Sequence, residues 1–89
     1  MQINKSIATV FTPLDDGTGI LLNKETKSTY SLNRTGSLLW KLLEEVHSVS
    51  LDDLVLITCE RFDVGEDDAR LALLAFVDRL EKYRMIKLS

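Results

Sequence analysis

The 89-residue chain has room for one domain, residues 1–89, and a chain of this size buries about 60–65% of the surface its unfolded form exposes. Its 45% hydrophobic and 28% charged residues exclude disorder, and its longest apolar stretches, such as Leu71–Val77, fall far short of the ~20 residues a membrane-spanning helix needs. Eleven basic against fourteen acidic residues give a net charge of −3 with no Lys/Arg cluster, which counts against a phosphate-neutralising face and hence against nucleic acid as a partner.

Met1–Lys5 has no extended apolar run and does not read as a secretory signal. Ile7–Thr12 is β-branched and aromatic and predicts a first strand, closed by Pro13, Asp15, Asp16 and Gly17 as a turn. Gly19–Asn23 predicts a second strand and Lys24–Lys27 a polar hairpin connection. Ser28–Leu32 alternates, Tyr30 and Leu32 against Thr29 and Ser31, and predicts the third strand of an antiparallel meander. Asn33 then reads as an N-cap for a helix over 34–46, with Leu38, Leu39, Leu42, Leu43 and Val46 at helical spacing and Trp40 on a flank. Ser50 caps a second helix, about 51–62, whose apolar face is Leu51, Leu54, Val55, Thr58 and Phe62. Glu66, Asp67 and Asp68 place acids at the positive end of a third helix, about 66–83. Met85–Leu88 follows as a short apolar tail that covers the sheet or the helices. The expected fold class is α+β: a three-stranded antiparallel sheet followed by three helices, a winged helix-turn-helix-like arrangement.

The third helix carries two apolar sectors. Ala69, Ala72, Leu73, Phe76 and Leu80 form the stripe expected to face the core. Leu71, Leu74 and Val77 lie on an adjacent sector bordered by Arg70 and Glu81, which either packs on a second neighbour or lines a groove for a ligand.

Catalytic constellations are missing from the pattern. His47 is the single histidine, so no His-paired metal site and no His–Cys pair at motif spacing exists, and no cofactor or metal is expected. Cys59 has no second cysteine to pair with; it reads as a small hydrophobe in a reducing cytoplasm. The glycines at 17, 19, 36 and 65 do not make a phosphate-binding loop, and the acidic runs do not match a calcium loop. The chain reads as a binding module and not as an enzyme.

The stretch Tyr30-Ser31-Leu32-Asn33-Arg34-Thr35-Gly36-Ser37-Leu38-Leu39-Trp40-Lys41-Leu42-Leu43 resembles the signature of the PqqD-like family: a strand ending in Leu-Asn, a Thr/Ser-Gly pair, then an apolar helix with Leu-Trp. Val49-Ser50-Leu51-Asp52-Asp53-Leu54, Phe62, and Phe76-Val77-Asp78-Arg79-Leu80 through Met85-Ile86 are similar to later family segments, so the resemblance covers about residues 19–88. The chain departs from it at Glu44–Ser48, Ala72 and Arg84. The resemblance implies a recognition element for ribosomally made, post-translationally modified peptides, which binds the leader segment of a precursor by strand addition and presents it to modifying enzymes. It implies a ligand edge at Lys27, Ser28, Thr29, Tyr30, Ser31 and Leu32, with Arg70, Leu71, Leu74 and Val77 as the helical wall. The Asn33-Arg34-Thr35-Gly36 start favours the lasso-peptide type, whose partners are a transglutaminase-like leader peptidase and an asparagine-synthetase-like cyclase. The alternatives are a chaperone of pyrroloquinoline quinone biosynthesis with a radical-SAM partner, and a winged-helix DNA-binding regulator.

Overall fold

A computed structural model describes all 89 residues as six strands and three helices. In chain order these are β1 (Gln2–Lys5), β2 (Thr9–Pro13), β3 (Gly19–Asn23), β4 (Thr29–Leu32), α1 (Arg34–Val46), β5 (Ser48–Ser50), α2 (Leu51–Phe62), α3 (Glu66–Lys82) and β6 (Ile86–Leu88). No helix is long and apolar enough to cross a membrane. The class is α+β, as expected, but the strands form two antiparallel three-stranded sheets, β2-β3-β4 and β5-β1-β6.

The meander follows from its alternation. In β3, Gly19, Leu21 and Asn23 are buried while Ile20 and Leu22 are exposed. Gly17, at φ +88°, makes the turn from β2 to β3 in a backbone region that glycine enters without penalty. Buried Asn23 closes the turn into β4: its side-chain oxygen accepts from the Glu25 and Thr26 N–H groups at 2.9 and 3.1 Å, while its amide donates to the Arg84 carbonyl at 2.7 Å.

The second sheet was not foreseen. β1 is its middle strand, with Ile3 opposite Val49 on one side and Leu88 on the other. Ile3, Val49 and Ile86 are buried there, so the apolar tail closes a sheet. The strand expected over 7–12 begins only at Thr9, because the chain turns at 6–8 to pass between sheets. The Thr9 N–H bonds back to Ser6, the Ser6 N–H reaches Met85, and Ile7 is left 94% exposed.

The helices begin where capping chemistry predicts. Asn33 accepts from the Gly36 N–H at 2.7 Å and Ser50 from the Asp53 N–H at 3.1 Å, satisfying donors that a first turn leaves free. α3 starts at Gly65 with no side-chain cap, and Glu66, Asp67 and Asp68 occupy its first turn. The buried faces need two corrections. In α1, Trp40 is not on a flank but fully buried at the centre, while Leu38 is 49% exposed. In α3, Val77 replaces Ala72 in the core: Val77 is 2% exposed, and Ala72 faces out.

Candidate functional site

Hydrogen-bond phase decides what the edges of the meander leave free. The Asn23 N–H donates to the Ser28 carbonyl at 2.9 Å, which makes Asn23–Ser28 a bonded pair. Bonded pairs recur every second residue, so Tyr30 and Leu32, opposite Leu21 and Gly19, also spend their backbone groups on β3. Thr29 and Ser31 therefore point N–H and C=O outward together. The side chains divide the other way: Thr29 and Ser31 are exposed, Tyr30 is half-buried and Leu32 is buried.

A groove runs beside this edge. Its first part, a cavity of about 180 Å³, lies between β4, the start of α1 and α3, and is lined by Tyr30, Leu32, Gly36, Ala72, Phe76 and Arg79 among others. Its second, of about 410 Å³, continues past the end of β4 between α1, the end of α2 and the start of α3, over Phe62, Val64, Asp68, Ala69 and Leu73. The two share Thr35, Leu39 and Ala72, so they form one trough. Gly36 sets its floor: a Cβ there would stand 3.2 Å from Leu32 and 3.5 Å from the Phe76 ring. At the polar end, the Arg79 Nε donates to the Tyr30 hydroxyl at 3.0 Å, and the Tyr30 and Tyr83 rings pack 5.1 Å apart at 51°.

The structure brings together only part of the site expected from sequence. Tyr30, Ser31 and Leu32 line the groove, and Thr29 precedes them on the same strand without lining it. Lys27 stands in the preceding turn at φ +65°, its N–H spent on the Asn23 carbonyl, and the Ser28 carbonyl is spent on β3. Arg70, Leu71, Leu74 and Val77 do not line the trough. Arg70 belongs to the opposite flank of α3, where it pairs with Asp52 of α2 at 2.8 Å and with Glu66 at 3.7 Å. Val77 is core, Leu71 is 69% exposed and Leu74 is 40% exposed. The wall comes instead from Ala72, Phe76 and Arg79, with Tyr83 beyond, at spacing i, i+4, i+7, i+11, which is one face of a helix. Periodicity carried that signal, but a small residue, an aromatic and a cation did not mark it as a wall.

No group of three or more His, Cys, Asp or Glu side chains is placed to hold a metal ion. The arrangement offers an unpaired strand edge, a trough that turns apolar beyond the strand's end and one cation, which suit an extended peptide: main-chain bonds for affinity and alternate side chains for selection.

Comparison with known proteins bears on this geometry. The family model for coenzyme PQQ synthesis protein D (PqqD) matches residues 18–86. The fold superposes on TbiB1 in complex with the TbiA(beta) leader peptide with a TM-score of 0.81, at 24% identity over 97% of this chain and 96% of that one. It also superposes on lasso peptide synthetase B1 complexed with the leader peptide, with a TM-score of 0.74, at 22% identity over 97% of this chain and 98% of that one. No curated protein matches the sequence.

Proposed function

Since the chain belongs to the PqqD family, we propose that it is a leader-peptide-binding module with no catalysis of its own. It takes the leader of a ribosomally made precursor as a fourth strand on β4, the leader's inward side chains lying in the trough against α3. The observation that carries this reading is the phase of β4: the outward N–H groups of Thr29 and Ser31 lie on the strand that borders a groove of mixed polarity, which turns apolar beyond the strand's end. Two folds of the same kind, TbiB1 and lasso peptide synthetase B1, are solved with leader peptides, which supports lasso-peptide biosynthesis as the setting. The enzyme partners in that setting are a transglutaminase-like leader peptidase and a cyclase, to which the module delivers its cargo.

Amide hydrogen exchange tests the site directly. The probe is a synthetic leader peptide from the precursor reading frame beside the gene. On saturation, the Thr29 and Ser31 amides become protected, because added-strand bonds must open before exchange. Unchanged exchange at both, with the peptide demonstrably bound, sinks strand addition at β4. The precursor's mass must also stay unchanged when it is incubated with the purified protein alone. The description of the matching family favours a second setting, pyrroloquinoline quinone synthesis, where the same groove serves a radical-SAM enzyme. A radical-SAM gene rather than a cyclase gene beside this one selects it.

A further inference from the structure

The groove has a charged end whose chemistry the peptide-binding reading leaves unused. Arg79 is the only lysine or arginine that lines either part of the trough. Arg79 forms no ion pair, and neither do Lys24, Lys27, Arg34, Lys41, Arg84 and Lys87, but none of those six lines the trough. Its own helix offers Arg79 no partner: positions 75 and 83 are Ala75 and Tyr83, and the neighbouring Asp78 is taken by Lys82 at 3.3 Å. Its Nε is spent on the Tyr30 hydroxyl oxygen at 3.0 Å, which fixes the guanidinium plane and leaves both Nη groups free. The Tyr30 hydroxyl, having accepted that bond, keeps its own proton to donate. The end of the groove beside β4 therefore converges donors with no carboxylate to meet them.

Resting on the peptide-binding reading, we propose that Arg79 and the Tyr30 hydroxyl form a carboxylate-reading subsite, so that the bound peptide carries Asp or Glu on its inward face opposite Tyr30. With Nε spent on Tyr30, the Nη–H on the same side of the guanidinium points beside the hydroxyl, so a carboxylate there accepts from that Nη–H and from the Tyr30 O–H, two donors of which one is charged. The position follows from strand parity. A residue opposite Tyr30 shares its inward face, as does the residue opposite Leu32 two positions away, which lies over Phe76 and Ala72. The ligand motif is thus an acid two residues from an aliphatic residue. An added strand also covers Arg79 from water, which strengthens the pair where an exposed one is worth little.

The test uses a display library of random twelve-residue linear peptides, selected on the full chain and on Arg79→Glu. Arg79 is on the exposed side of α3, and melting curves check that the variant folds like wild type. Peptides from wild type should carry Asp or Glu two positions from an aliphatic residue; those from Arg79→Glu should carry Lys or Arg at the same position. For one wild-type-selected peptide, Arg79→Ala should weaken binding about tenfold, the worth of one charge-assisted hydrogen bond. Changing the peptide's acid to its amide should then cost little more, because the two changes remove the same interaction. A purely structural role for Arg79, at the helix C-terminus, would give no exchange of peptide charge. Selections with no acidic preference, from a protein that loses its peptides on Thr29→Pro, overturn the carboxylate subsite and leave strand addition standing. Peptides that bind Thr29→Pro as well as wild type overturn both.

Discussion

The two outer strands of the meander are both four or five residues long and pair with the same partner, yet they are unequal as edges. On β2, the Lys24 N–H bonds the Ala8 carbonyl and the Leu14 N–H the Thr18 carbonyl, so residues 9, 11 and 13 face outward. Thr9 turns its N–H back to Ser6, and Pro13 has none. Phe11 alone keeps a free outward N–H, and its ring lies so close over Gly19 that a Cβ there would stand 2.3 Å from it. On β4 nothing spends the outward N–H groups of Thr29 and Ser31, and a groove walled by Leu32, Phe76 and Arg79 runs alongside. Proteins blunt strand edges to avoid unwanted pairing. Here one edge of a sheet is blunted and the other kept open, and the difference lies in hydrogen-bond phase and neighbours, not in the hydrophobicity of the strands.

Proline scanning across both edges should test this inequality with the largest effect. Thr29→Pro and Ser31→Pro each remove one outward donor and orphan a ligand carbonyl. Each should weaken leader binding by roughly 2–4 kcal/mol, a thirty- to several-hundredfold loss in fluorescence polarisation. Because the two positions share a parity, both variants should fail together, and circular dichroism should show both folded. Phe11→Pro should loosen the fold through its lost ring contact while leaving the folded protein's affinity within about twofold. A larger loss there would mean that the ligand pairs with β2.

A smaller contrast separates the flanks of α3. Ala72→Glu sets a carboxylate in the apolar trough and should cost binding roughly 1–3 kcal/mol, with little change in melting temperature because Ala72 is exposed. Leu74→Asp, on the other flank, should leave affinity unchanged. Val77→Asp buries an unpaired charge where 2% of the residue is exposed, so it should fail to fold and says nothing of the groove. Equal losses of affinity from Ala72→Glu and Leu74→Asp would return the wall to the flank that the apolar pattern suggested.

The structure departs from that pattern at Ala72, which is exposed, and at Val77, which is buried, for a physical reason. Hydrophobic periodicity orients a helix to within a sector, but whether Val77 or Ala72 turns inward depends on which neighbour each flank meets. Arg70 reaching Asp52 shows that the Val77 flank meets α2. The helices and β3 and β4 were legible because their signals are local: Asn33 and Ser50 as caps, and the alternation of Tyr30 and Leu32 against Thr29 and Ser31. The sheet β5-β1-β6 was not, since its strands have three or four residues and their pairings, Ile3 with Val49 and Leu88, span most of the chain. No turn residue announces such pairing. The open edge was readable as a place, while the phase that makes Thr29 and Ser31 its donors needed the register.

The smallest expected effect concerns the turn that holds the blunted edge. Asp16 accepts hydrogen bonds from the Thr18 hydroxyl and from the Thr18 N–H, which hold its carboxyl below the ordinary carboxylate range, the hydroxyl contributing most. The Arg34 Nε donates to the Asp16 carbonyl at 2.8 Å, tying the turn to the first residue of α1. A carboxylate whose pKa is lowered on folding stabilises the protein fully above its unfolded value, about pH 4, and that contribution fades as pH falls through the lowered value. Asp16→Asn should therefore lower the melting temperature slightly at neutral pH, and its gap from wild type should close in acid below about pH 4. Leader affinity at neutral pH should not change, because the turn anchors β2 and β3 and no ligand group reaches it. An affinity loss that tracks the stability loss would show that the two edges are coupled through β3, and that the open edge owes its shape to the closed one.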